Sequence, residues 1–492
     1  MLRADLKVSA TQGRICAEID ALSPLGGEGG PQSRCTSSRG GLGEGVGQGH
    51  RTMREFEGSR KGRPNLTREP RSLMTRSRYM VALVLTTFFV ISFLTNILGP
   101  IIPDIIKSFH VSLTAAALLP FSFFIAYGVL SIPAGFLVEA WGEKKVMVLS
   151  FAVALAGALF FALVPVYRVS LISLFLIGGS MAALQVAINP LLRVAGGEEH
   201  FAFNAAFAQF VFGAASFVSP QVYSYVVLHL EAPANQNLPL RVLGRAVPAS
   251  LPWVSMYWIF TVVIAVMLIA LWTSRFPRVT RTEEERAGAL EMYAHLLKKP
   301  VVLLFFASVF MYVGSEQGTA DWISEFLAHY HGYDPHTTGA AAVAWFWGLL
   351  TAGCALGMLL LKLLDSRKVL LCFSLSALAC LTVALFGPGS TAKLAFPAMG
   401  FCASVMWPII ISLGLNSVAE YHGPLAGILC VGIMGGAVVP LIIGRLGDAF
   451  GLRAGMMFLY VTFGWVLSVS FWAKPLIANV TLRDKKAQQA AS

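Results

Sequence analysis

The chain has 492 residues, 56% hydrophobic and 13% charged, with a mean hydropathy of +0.68; a soluble domain carries about a quarter charged residues, so an aqueous globular protein is excluded. The formal net charge of +11 does not imply nucleic acid, because Lys and Arg are spread over many loops instead of gathered on one phosphate-binding face. Cys16, Cys35, Cys354, Cys372, Cys380, Cys402 and Cys430 show no CxxC spacing, so no metal or disulfide framework is expected, and the last five read as small packing residues in apolar runs.

Residues 1–73, typified by LSPLGGEGGPQSRCTSSRGGLGEGVGQGH, have no helical period and no apolar leader. They read either as a disordered cytoplasmic tail or as sequence upstream of a natural start at Met74. From Met80 onward the chain breaks into twelve apolar runs, at about 80–103, 113–138, 144–165, 170–193, 203–228, 252–275, 300–328, 339–361, 368–386, 391–415, 422–443 and 453–474. Each is long enough for a membrane-spanning helix. The strongly charged stretch RFPRVTRTEEERAGALEMYAHLLKK divides them six and six. The expected organisation is therefore a first bundle at 74–275, a cytoplasmic linker at 276–299, a second bundle at 300–475 and a tail at 476–492. A six-plus-six division is the layout of a two-fold pseudo-symmetric transporter, an all-α membrane fold. Basic residues collect in alternate loops, among them Lys144, Lys145, Arg275, Arg278, Lys298, Lys299, Lys362, Arg367, Lys368, Lys485 and Lys486. That bias puts both termini in the cytoplasm and accounts for the net charge.

After the second run the chain reads GFLVEAWGEKKVM, residues 135–147, echoed by LKLLDSRKV at 361–369. Gly135 suits close helix approach, Gly142 a tight turn, and Glu139 can pair with Lys144 or Lys145 or cap a neighbouring helix. The motif resembles the loop between helices 2 and 3 of the major facilitator superfamily, which implies a gating latch. ALQVAINPLLRVAG (183–196), AQFVFGAASFVSP (208–220), YVGSE (312–316), SVMWPIIISLGLNSV (404–418), GIMGGAVVPLIIGRLGDAFG (432–451) and FFVISFLTNILGPIIP (88–103) together resemble the fucose-galactose-glucose:proton symporter family. By position the family's coupling and sugar-binding acids in helices 1 and 4 fall on Gly99 and Gln185, and a helix 5 asparagine on Phe212. The helix 5 glutamine is kept as Gln209, and the aromatic before the helix 10 proline as Trp407. The resemblance thus implies a partly retained sugar site without the family's proton machinery.

A carboxylate inside hydrocarbon is expensive and normally functional. Glu316 lies about 24 Å into the run that starts at Pro300. Asp321 and Glu325, further on, are expected near the outer surface. Glu316, with Asp321 as second candidate, can serve coupling, substrate hydrogen bonding or helix orientation. A sugar site needs amides and flat aromatic surfaces. Candidates are Asn96, Gln185, Asn189, Gln209, Trp345 and Trp407, with Trp347 and Asn416. Pro190 is expected to break the helix beside Asn189, and His229 and His331 to be solvated. No Ser/His/Asp or metal-ligand spacing lies within the spans, so an enzyme is not expected. The reading is a monosaccharide transporter of a bacterial inner membrane, monomeric, without cofactor, coupled to H⁺ or Na⁺. Uncoupled uniport and a drug or metabolite exporter on the same fold are the alternatives.

Overall fold

A computed structural model describes residues 78–196, 201–231, 237–276, 290–418 and 421–476. Residues 1–77 and 477–492 therefore lie outside the described residues, and so do most of the linker and both readings of 1–73.

All twelve predicted runs are membrane-length helices: α1 (Arg78–Phe109), α2 (Leu113–Trp141), α3 (Glu143–Leu163), α4 (Tyr167–Gly196), α5 (Asn204–Leu230), α6 (Pro252–Thr273), α7 (Pro300–Ala320), α8 (Pro335–Leu361), α9 (Ser366–Phe386), α10 (Gly389–Leu415), α11 (Gly423–Phe450) and α12 (Leu452–Trp472). The regular elements among the described residues are all helical. In lipid each backbone N–H and C=O must be satisfied within the chain, and a helix does so locally. Two short helices, Leu238–Ala246 and Leu290–Leu297, lie in connections.

Five of the long helices are interrupted, α12 only briefly, at Met457. α1 breaks at Asn96–Ile97, α10 at Ser404–Val405, and α11 carries a tight turn at Gly432–Met434. The rod begun by α7 breaks at Asp321–Trp322 and resumes as Ile323–His331. The first helix of each half is thus divided. By contrast, α4 runs unbroken through Pro190, which corrects the expected break there. Proline removes one ladder bond, and the neighbouring turns keep the helical path.

Two hydrophobic cores form, one from α1–α6 and one from α7–α12. They exchange a few residues: Ile102, Ala116 and Ala117 pack in the second core, Ala340 and Ala437 in the first. Within each half the same device recurs. Gly178 of α4 lies directly on the Phe123 carbonyl of α2, and Gly400 of α10 lies on the Phe346 carbonyl of α8. A side chain at either glycine would overlap the facing backbone, so only glycine permits these separations.

At one end of the bundle α1, α2, α8 and α11 meet. Asp448 of α11 accepts from the backbone N–H groups of Leu113 and Thr114 at 2.8 and 2.9 Å and from the Thr114 hydroxyl at 2.5 Å. His336 Nε2 lies 2.9 Å from Asp104 Oδ1, and the Tyr223 hydroxyl of α5 donates to Asp104 Oδ2. The Asp448 and His336 contacts join the two halves at this Asp104 end, and Tyr223 holds Asp104 from within its own half. The Gly142–Lys145 turn marks the other end.

Candidate transport site

The first-half polar group is built on α2 and α4. Gln185 is half-buried, and its Oε1 accepts the Tyr127 hydroxyl bond from α2. A phenol in an apolar span needs such a partner. Asn189, one turn beyond Gln185 and therefore on the same face, is exposed. The second-half group is built on α7 and α10. Glu316 is half-buried midway along the rod from Pro300 to His331, where Tyr312 Oη donates to its Oε2 at 2.5 Å and Gln317 Nε2 lies 3.5 Å from its Oε1. The Trp407 ring centroid is 6.1 Å from that of Tyr312. Cys354 of α8 lies within electrostatic reach of both Tyr312 and Glu316.

α11 brings the two groups together. Its Gly436 is flanked by Gln317 of α7 and Phe124 of α2, and Gly128 of α2 packs on Met434. Tyr127 lies between Phe124 and Gly128 in sequence, so the Tyr127–Gln185 and Glu316–Tyr312–Trp407 groups stand on either side of one glycine-lined seam. Three aromatic side chains (Tyr127, Tyr312 and Trp407), two amides (Gln185 and Gln317) and a carboxylate there can engage a ring-shaped polyol. Sequence reasoning did not select Tyr127 or Gln317. A lone Tyr or Gln in an apolar run was the available signal.

The remaining candidates lie elsewhere. Asn96 is 5% exposed; its Nδ2 donates to Ser216 Oγ of α5 at 2.8 Å, while Oδ1 has no partner. It therefore ties α1 to α5 at the α1 break. Gln209 is exposed, one turn before Gly213, which packs on Thr351 of α8. It lies on the α5 face that meets the other half. Trp345 is 52% exposed and packs edge-on against Phe217 in the α5–α8 seam, not with Trp407. Trp347 is buried with its Nε1 unpartnered. Asn416 closes α10, its carbonyl accepting from Leu476 N at 2.8 Å.

Asp321 differs most from expectation. It is 3% exposed, the more buried of the two coupling candidates, with Oδ2 unpartnered. The rod continues to His331, so Asp321 sits at an internal break and not near the surface. His331 is also not solvated as expected. Its ring packs near Phe326 and Tyr333, and burial, then the nearby Arg453, pushes its pKa down. The His229 ring lies tilted against Tyr225, with its Nδ1 2.7 Å from the Tyr225 carbonyl.

In the loop motif Gly142 has φ +81° and ends α2, a conformation that suits glycine. Lys144 Nζ reaches the Trp272 and Ser274 carbonyls at 3.0 and 2.7 Å. It caps the α6 C-terminus, a favourable place for a cation. Lys145 is exposed and Gly135 half-buried within α2. Glu139 lies near Tyr293 of the linker helix, where burial first and the Glu139 charge second push the phenol pKa up.

Residues 84–437 match the family profile described as Major Facilitator Superfamily. The chain is 28% identical over 417 residues to a glucose/galactose transporter of Brucella abortus, covering 81% of this chain and 96% of that one. It is 24% identical over 385 residues to the L-fucose-proton symporter of Escherichia coli, covering 75% and 87%. The crystal structure of the E. coli fucose:proton symporter superposes with a TM-score of 0.57 at 19% identity, over 80% of this chain and 98% of that one. With a profile spanning most of its length and twelve helices in the matching arrangement, the chain belongs to the Major Facilitator Superfamily.

Proposed function

We propose that this protein carries a monosaccharide, a hexose or deoxyhexose, across a bacterial inner membrane by alternating access, as a cation-coupled symporter with the Lys144 end in the cytoplasm. The observation that carries the reading is the pair of groups facing each other across the Gly436 seam, one Tyr–Gln and one Glu–Tyr–Trp. Relatives named as glucose/galactose and fucose-proton transporters support the substrate class. Gln185 and Asn189 at the seam, with Gln209 apart from them on the α5 face toward the other half, offer amides to sugar hydroxyls, Trp407 and Tyr312 offer aromatic faces, and Glu316 is placed to accept a hydroxyl bond or to take part in coupling. Rocking the two halves about this seam would expose the site to each side in turn. Lys and Arg enrichment at the Lys144 end supports the orientation.

Uncoupled uniport is the second reading, favoured by Gly99 and Gln185 where the resembling family carries acids. Uptake of labelled fucose, galactose, glucose and mannose into proteoliposomes under pH or Na⁺ gradients tests both. Gradient-driven accumulation abolished by Glu316→Gln assigns coupling to that carboxylate. Equilibration without accumulation assigns uniport, and absence of uptake for every sugar rejects the sugar reading.

A further inference from the structure

The least satisfied acid among the described residues is Asp321. Its own N–H bonds to the Gln317 carbonyl at 2.9 Å, but its side chain makes no hydrogen bond or ion pair among the described residues, and Oδ2 is buried and unpartnered. It sits where the rod of α7 breaks, with the next residue, Trp322, held by Nε1 on the Pro440 carbonyl of α11 at 3.3 Å. The opposite half covers this break. Gly99 of α1, just beyond the Asn96–Ile97 break, lies on the Ala320 carbonyl and against the Asp321 Cα. Two interrupted helices, one from each half, therefore meet at a buried carboxyl.

Ionised, that carboxyl would be a buried charge without a partner, at a cost of several kcal/mol; the neutral acid avoids most of it. Cations and acids on the packed elements are engaged or exposed elsewhere. On its own rod, Glu316 bonds Tyr312 and Gln317, Glu325 lies near His329, and His331 packs near Phe326. From α1 and α8, Asp104 meets His336 and Tyr223, and Lys107 is exposed. From α10, α11 and α12, Lys393 lies over Tyr333, Arg445 is exposed, Asp448 caps α2, and Arg453 lies over Tyr330.

We infer that Asp321 is a proton-operated latch: the two halves close at the Asp104 end only when its carboxylate has taken a proton from the water on that side. The inference rests on the alternating-access reading and supplies its coupling step. Opening draws α1 away from α7, uncovers Asp321 and lets it ionise; closure requires COO⁻ and H⁺ to become COOH. The closed state then binds one more proton than the open state. Closure is favoured at low pH, and above the open-state titration range the closed-to-open ratio falls about tenfold per pH unit.

The test needs no substrate, so its failure is separate from failure of the sugar reading. Lys107 and Arg445 are exposed, one in each half, at the Asp104 end. Spin labels at Lys107→Cys and Arg445→Cys, in protein otherwise free of cysteine and held in lipid nanodiscs, report closure by electron–electron distance between about pH 5 and about pH 9. The closed population is expected to fall as pH rises. Asp321→Asn, which matches the neutral acid in shape, is expected to stay closed throughout. Gly99→Ala weakens the contact but keeps the acid, and should move the curve to lower pH. A wild-type curve without pH dependence, an Asp321→Asn curve that tracks wild type, or an unmoved Gly99→Ala curve overturns the inference.

Discussion

Asp448 offers a direct measure of how strongly the two halves are held at the Asp104 end. One carboxylate receives two backbone N–H groups at 2.8 and 2.9 Å and a hydroxyl at 2.5 Å, all from the first turn of α2 in the opposite half. Because the interaction crosses between halves, its loss acts on the conformational balance as well as on helix stability. A helix N-terminal side-chain acceptor is worth about 0.5–2 kcal/mol, and a carboxylate at a helix N-terminus about 0.3–1 kcal/mol more. The site is solvent-exposed, and Ser112 Oγ already accepts from Ala115 N at 3.3 Å, so the combined figure belongs at about 1–2 kcal/mol. Asp448→Ala should then lower the closed-to-open ratio by about 5- to 30-fold. Asp448→Asn keeps one acceptor and should lose only the charge contribution, about 0.3–1 kcal/mol. Electron–electron distances between labels at Lys107 and Arg445 would read both. An Asp448→Ala closed population equal to that of wild type would refute the argument. A drop in melting temperature with unchanged distances would show that Asp448 serves only to start α2.

Tyr127→Phe removes the donor to Gln185 and leaves its carbonyl oxygen unpaired in a half-buried position; substrate affinity should fall about 5- to 150-fold, from about 1–3 kcal/mol, checked by equilibrium binding in detergent. Gln209→Ala should weaken binding of the transported sugar, and unchanged affinity would remove Gln209 from the site. Lys144→Met takes a cation from two carbonyls at the α6 C-terminus, with an expected loss of about 0.3–1 kcal/mol that thermal unfolding would register. A matching loss in Lys145→Met, whose side chain is exposed, would show that overall charge, not the cap, is responsible.

Chain length, hydropathy and the charged linker by themselves determined the number of helices, their approximate ends and the six-plus-six order, because a lipid-embedded backbone must satisfy its polar groups within each span. Gly142 was equally legible, since a turn between α2 and α3 calls for a residue that tolerates positive φ. Pro190 shows the limit of local reasoning: the strongest sequence signal for a break lies in an intact helix. The breaks at Asn96–Ile97, Asp321–Trp322 and Ser404–Val405 contain no proline. All three lie among distant partners, with Asn96 bonded to Ser216, Gly99 packed against Ala320, Trp322 bonded to Pro440, and the Ser404 carbonyl accepting from Cys354 Sγ of α8. Tertiary structure likewise decided that Gln185 meets Tyr127, that Trp407 joins Glu316 while Trp345 does not, and that Asp321 is buried where two halves touch. Those outcomes depend on which helix faces which, and that is set by packing between segments far apart in the chain, where hydropathy along any one of them carries no information.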